Sequence, residues 1–301
     1  MHDRWKHAVL AASLAFVLGG CATMQSGPDG EAALSDEEIQ DLLASARQAR
    51  DNGEPGEAVF FYREVLEEDD TQPDALVGLG WLMLRNGDAE AAEALLARAL
   101  EVDPERAEAL EGRGLARLQL RELGGAAGDL RRAAARDADR WETRNALGVI
   151  ADLEGDHDAA RRHYRASLDL LPGNPAVLNN LGYSLLMAGE YADAEQVLRE
   201  GLRAAPRHDR LQVNLGLALA WQGRHHEAVE AMESALGSAR ATNNVGYIAM
   251  LNGDYATAMR HFEAAMELHP RFYDRAERNL NRAARLAAAE LPTPDDEGNA
   301  D

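Results

Sequence analysis

The chain has one cysteine, Cys21, in 301 residues, so no internal disulfide can staple it. Lysine is almost missing: Lys6 stands alone, and every other basic side chain is an arginine. Acidic residues outnumber basic ones by 52 to 31, for a formal net charge of −21. That balance argues against nucleic acid as a partner, because phosphate binders need a basic face. It argues equally against electrostatic adhesion to anionic lipid. The surplus either keeps the chain soluble or offers an acidic surface to a basic partner. There is no P-loop, no GxGxxG and no GxSxG. His157, His163, His208, His225, His226, His261 and His269 are scattered and form no HExxH pair or other ligand spacing. The sequence therefore carries no catalytic constellation, metal site or cofactor site, and nothing in it recognises a small-molecule substrate. A non-enzymatic chain is expected.

What the chain does have is periodicity. In the stretch from Pro175 to Pro206, Leu178, Leu181, Gly182 and Leu185 form one helical stripe, and Ala194, Leu198 and Gly201 form a second after a break at Gly189. Asn174 supplies an N-cap with Pro175 in the first helical position, and Pro206 closes the unit. Counting Pro175 as position one, a small residue recurs at position eight: Ala46, Gly80, Gly114, Gly148, Gly182, Gly216 and Gly246. The spacing is 34 residues five times and then 30. Alanine recurs at position twenty with the same spacings, from Ala58 to Ala258. This 34-residue helix–turn–helix pattern resembles the tetratricopeptide repeat (TPR). The expected fold is all-α, a right-handed superhelical solenoid of about seven repeats over residues 39–270. Glycines 182 and 201, each costing about 1 kcal/mol against alanine in a helix, suggest close approach of two helix backbones.

The flanks differ from the array. Residues 1–20 carry Arg4 and Lys6 and then an uncharged run from Ala8 to Gly20. At thirteen residues that run is shorter than the ~20 a bilayer requires, and it matches a signal-peptide core. It ends in Leu18-Gly19-Gly20-Cys21, which resembles the lipobox of bacterial lipoproteins, whose cysteine is lipidated and becomes the new N-terminus. The alternative is an ordinary signal peptide with an unrelated cysteine. By the same resemblance, Ala22 after the cysteine favours sorting to the outer membrane. Loss of residues 1–20 removes Asp3, Arg4 and Lys6, leaving 51 acidic and 29 basic side chains and a net charge of −22. Residues 21–38 read as a tether ending in the first helix start, where Ser35 and Glu38 have capping-box spacing. Repeat six lacks four residues and its closing proline, so either its second helix or the next first helix must be short. Residues 271–290 read as a helix capping the last repeat. Residues 291–301 are acidic and poor in apolar side chains, the composition of disorder.

The informative polar residues are asparagines. Positions five and six of successive first helices hold Asn145, then Asn179 and Asn180, then Asn214, then Asn243 and Asn244. The TPR resemblance implies that these positions face a concave groove. Asn180, Asn214 and Asn244 would then form a ladder able to grip the backbone of an extended peptide, since one amide offers both a donor and an acceptor. Asparagine is also simply frequent there, and both readings stand. Tyr183 and Tyr247 at position nine, with Trp221 at thirteen, would give the groove an apolar lining.

Taken together, LGGC, NNLGYSLLMAGEY, NNVGYIAMLNGDY and the closing HPRFYDRAERNLNRA are similar to the TadD family of TPR lipoproteins of Flp (tight-adherence) pilus assembly. The PRFYxxAxxNL element (Pro270, Arg271, Phe272, Tyr273, Ala276, Asn279, Leu280) is its most specific part. The resemblance implies a lipid-anchored protein on the periplasmic side of the outer membrane that helps a secretin or another pilus component assemble. Alternatives are a pilotin-like lipoprotein of type IV pili and a periplasmic adaptor that recruits peptidases or peptidoglycan hydrolases.

Overall fold

A computed structural model describes residues 34–269 and 273–290. The expected signal segment, Cys21 and most of the expected tether (residues 1–33), Pro270, Arg271, Phe272 and residues 291–301 lie outside the described residues. Fifteen α-helices and no strand occur among the described residues. They form seven antiparallel pairs: α1 (Asp36–Asp51) with α2 (Pro55–Glu68), α3 (Pro73–Arg85) with α4 (Ala89–Val102), α5 (Ala107–Gln119) with α6 (Leu123–Arg136), and α7 (Trp141–Leu153) with α8 (His157–Leu170). Then follow α9 (Pro175–Met187) with α10 (Tyr191–Ala204), α11 (Asp209–Trp221) with α12 (His225–Leu236), and α13 (Ser238–Leu251) with α14 (Tyr255–Glu267). A last helix, α15 (Asp274–Glu290), packs on α13 and α14.

Local signals place these boundaries. Ser35 caps α1 in a reciprocal box: its hydroxyl accepts from the Glu38 N–H, and the Glu38 carboxylate accepts from the Ser35 N–H at 2.8 Å. The Asn174 amide oxygen accepts from the Ala176 and Val177 N–H groups ahead of α9. Gly189 turns the chain between α9 and α10 with φ 79°, letting the Glu190 N–H reach the Leu185 carbonyl at 2.9 Å. In the third repeat the same turn is made by Arg121 at φ 65°, which a side chain adopts only with strain.

The position-eight glycines answer to a residue that the repeat pattern alone left unmatched. At position twenty-four stand Tyr62, Leu96, Leu130, Tyr164, Leu198, Met232 and Phe262, each at most 1% exposed. A Cβ on Gly182 would sit 2.5 Å from Leu198 Cδ2, and one on Gly114 would sit 2.7 Å from Leu130 Cγ. A Cβ on Gly201 would meet Leu211 at 2.8 Å. At Gly182 and Gly201 the expected backbone–backbone approach is thus corrected: the helix backbone is bared to seat a bulky side chain. At Gly216 both occur, with Met232 Cγ at 2.3 Å and the Ala228 carbonyl at 2.8 Å.

The four missing residues of repeat six are also located. Helix α12 has 12 residues where α10 has 14, and the link to α13 shrinks to Gly237 alone. The second helix of six is the short one.

Helix neighbours set the curvature. First helices of successive repeats touch: α1 with α3, α3 with α5, and so on to α13 with α15. Among the described residues no second helix touches the next second helix. An array packed closely along one edge and splayed along the other must bend, so the first helices line its inner face.

Candidate functional site: the inner face of the first helices

Two regions of the inner face differ in chemistry. The first lies on repeats one to three and the start of repeat four. A cavity of about 530 Å³ is lined there by Arg47 and Arg50 of α1, Arg85 of α3, and Arg106 and Arg140 at the starts of α5 and α7, with Asp74, Trp81 and Glu108 between them. Asp74 bridges two arginines, accepting from Arg106 Nη2 at 2.6 Å and Arg47 Nη2 at 3.0 Å. Burial opposes the Arg106 charge, but the hydrogen bond to Asp74 and the Asp74 and Glu108 carboxylates outweigh it and lift its pKa above the ordinary value. Trp81 Nε1 donates to the Glu108 carbonyl at 3.3 Å, which fixes the indole in the wall. Sequence reasoning missed this pocket. Its only linear trace is arginine one residue before position one in repeats three and four, Arg106 and Arg140.

Behind that wall, one buried carboxylate ties α5 to α6 and another ties repeat three to repeat four. Asp129 accepts from Arg113 Nε and Nη2 and from Arg117 Nη1, all at 2.8 Å. Glu111 accepts from the Thr143 hydroxyl at 2.5 Å and Arg140 Nη1 at 2.6 Å. Burial works against the charges of Arg117 and Arg140, and their carboxylate neighbours more than offset it, so both pKa values are raised.

The second region lies on repeats four to seven, and here the asparagines meet. Asn214 Nδ2 donates to Asn179 Oδ1 at 3.0 Å, Asn179 Nδ2 to Asn180 Oδ1 at 3.5 Å, and Asn180 Nδ2 to Asn145 Oδ1 at 3.0 Å. A chain of four amides therefore runs across three repeats, position six of one reaching position five of the one before. These amides do not simply face water in the free protein: Asn179 is buried, Asn145, Asn180 and Asn214 are half-buried, and they satisfy one another. Asn243 is buried and accepts from Asn279 Nδ2 of α15 at 3.0 Å, so it belongs to the docking of that helix rather than to an open groove. Asn244 makes no side-chain hydrogen bond among the described residues, because Val213 holds position five of the repeat before it.

A groove of about 490 Å³ brings Asn179, Asn180, Tyr183 and Asn214 together with Arg210 and Leu236. Tyr183 is 45% exposed, and Met187, Tyr247 and Leu251 are likewise exposed along the same helices. Trp221 does not join them. Its ring stacks on Tyr191 at 5.3 Å between centroids and 2° between planes, packing repeat six on repeat five. No group of three or more His, Cys, Asp or Glu side chains that could hold a metal ion occurs among the described residues.

Tetratricopeptide-repeat family models match residues 49–116 and 153–212, 116–175, and 211–242, an unbroken stretch from 49 to 242. The chain belongs to the tetratricopeptide-repeat family. No curated protein matches the sequence. Among solved structures it is similar to a tetratricopeptide repeat protein from Parabacteroides merdae, at 16% identity over 84% of this chain and 99% of that one, with a TM-score of 0.56. It is similar also to pilF of Pseudomonas aeruginosa, at 21% identity over 72% of this chain and 98% of that one, with a TM-score of 0.55. The Cut9–Hcn1 assembly of the APC/C gives a TM-score of 0.60 at 16% identity, over 79% of this chain and 48% of that one. At these identities the likenesses speak for the TPR fold.

Proposed function

We propose that this chain is a non-catalytic scaffold, lipid-anchored through Cys21 on the periplasmic side of the outer membrane, that holds a protein partner during assembly of a Flp-type pilus or a related secretion apparatus. The partner on this reading is a secretin or another pilus-assembly component. One observation carries the binding mode: the amide chain of repeats four to six, flanked by exposed Tyr183 and Met187. Each amide in it keeps unused capacity. Among the described residues, Asn214 Oδ1 and the second N–H of Asn180 have no hydrogen-bond partner, and half-buried Asn244 makes no side-chain hydrogen bond. A main chain laid along the inner face meets donors and acceptors at repeat spacing, while tyrosine and methionine take its apolar side chains. Because the amides are already ordered by one another, little side-chain entropy is lost when they bind. The membrane and pilus assignments rest on the Leu18–Cys21 motif and the family resemblance of the sequence.

The test places a photo-crosslinking residue at Tyr183 in cells and identifies what is captured, alongside fractionation of a Cys21→Ser variant. The reading expects a secretin or pilus component and loss of outer-membrane attachment, since stable anchoring needs acyl chains contributing about 0.8 kcal/mol per buried methylene. Capture of wall hydrolases alone, or a variant that stays with the outer membrane, defeats it.

A further inference from the structure

We propose that the arginine pocket of repeats one to three receives the acidic segment after α15, residues 291–301, from a second copy of the chain. The pocket is a local reversal of charge. Five of its lining residues are arginines and two are acids, in a chain whose net charge is −21. Two of the arginines have further carboxylate partners beyond the lining, Asp51 for Arg50 at 2.9 Å, and Glu111 at 2.6 Å and Asp137 at 2.9 Å for Arg140. Arg85 is exposed and has no ion-pair or hydrogen-bond partner among the described residues. A guanidinium carries five N–H donors, and Arg47 and Arg106 each engage acids through Nη2 alone. The pocket is therefore rich in unused, charge-assisted donors suited to carboxylates. Its floor is closed by Tyr62 and Trp81, so a bound carboxylate would be partly screened from water.

The segment that complements it is in the sequence. Residues 291–301 read LPTPDDEGNAD, with Asp295, Asp296, Glu297 and Asp301 and no basic side chain. The topology makes the contact intermolecular. Helix α15 touches only α13 and α14, at the opposite end of the array from α1, α3 and α5. Eleven residues span at most ~40 Å, whereas six to seven helix-to-helix steps of ~8–10 Å separate α15 from Arg85 on α3 and Arg47 on α1 along the inner face. The tail of one copy thus meets the first repeats of the next, a heterologous head-to-tail contact. It leaves the amide groove of repeats four to seven free, so this inference does not depend on the function proposed above.

A fluorescein-labelled peptide of residues 291–301 titrated with the full chain in detergent tests the proposal by anisotropy. Saturable binding is expected, weakened at least about tenfold between 50 and 500 mM salt, because such pairs are screened. Arg85→Glu should abolish it, and so should Arg47→Glu, both surface changes whose melts are checked against the parent. A peptide carrying Asp295→Asn, Asp296→Asn and Glu297→Gln should not bind. Unlabelled peptide should lower the sedimentation coefficient of the full chain by displacing tails. No binding, or equal binding to both arginine variants, overturns the proposal. Equal binding of a scrambled peptide of the same composition overturns the tail as occupant and leaves a general acidic site.

Discussion

Repeats one to three and repeats four to seven share one backbone plan and differ in how their polar groups are used. In the first half, inter-repeat links are charged: Asp74 between Arg47 and Arg106, Glu93 with Arg117, Glu111 beneath Arg140. In the second half neutral amides join the first helices, Asn145 to Asn180 and Asn179 to Asn214, beside one carboxylate, Asp152, that accepts from the Ser184 hydroxyl at 2.7 Å. The two solutions lie at nearly the same sequence distance: 32 residues separate Thr143 from Glu111, and 35 separate each asparagine pair. The lesson is that the TPR frame accepts a charged or a neutral polar link between neighbouring first helices, and does without one where Val213 faces Asn244. That freedom lets one array present two kinds of inner surface.

The largest expected effect strikes the charged half. Asp129→Ala would leave Arg113 and Arg117 without their buried partner, and removing one side of a buried pair costs about 3–5 kcal/mol. Hydrogen exchange should show α4 to α6 opening while α13 to α15 keep their protection, because a repeat array transmits damage mainly to neighbours. Equal loss at both ends would mean that the halves are not separable.

Next comes a change that should treat both halves alike. Gly114→Leu and Gly182→Leu each force a side chain into space held by Leu130 or Leu198, and overpacking costs about 1–3 kcal/mol. Thermal melts of the two variants should fall by similar amounts. A neutral outcome at either site would contradict the pairing of positions eight and twenty-four.

Smaller again is the amide contrast. Asn180→Ala breaks its hydrogen bond to Asn145 and should cost about 1 kcal/mol, whereas Asn244→Ala, with no side-chain bond to lose, should leave the melt unchanged. Both should weaken the captured partner if the groove binds it. Equal melts for the two variants would remove the structural role assigned to the amide chain.

The mildest effect is pH. Repeats one to three contain no histidine, while His163 and His261 lie in repeats four and seven. Burial foremost, with nearby guanidinium groups including Arg144 for His163 and Arg260 for His261, holds both below the ordinary histidine range. The unfolded chain then takes up protons first as pH falls through about 6.5, so stability present above that pH is lost below it. Exchange protection between pH 7 and pH 5.5 should therefore drop in α7, α8, α13 and α14 before α1 to α6. A first loss in α1 to α6 would reverse the assignment.

Much of the architecture was legible in linear order, and particular residues explain why. Helix starts at Ser35 and Asn174, turns at Gly189, and the 34-residue frame depend on neighbours within a few positions or on strict recurrence. The resemblance element at the C-terminus was visible as a motif, but its work was not. Ala276 is fully buried, Leu280 packs beside Phe262, and Asn279 holds Asn243, so its described residues dock α15 on repeat seven. The asparagine positions could be read, yet their bonding could not, because an amide's partner stands one repeat away. Trp221 was misread as groove lining because nothing in the sequence tells which of its two sides meets Tyr191.

The sequence by itself determined the secondary structure, the repeat count and the placement of small and large residues, since these follow from local propensity and periodic burial. Only the tertiary structure decided which polar groups are used up and which remain open. Four separate repeats must curve together before Arg47, Arg85, Arg106 and Arg140 share one pocket. Hydrogen bonds and charges act over a few ångströms of space, and chain order specifies that distance only through the fold.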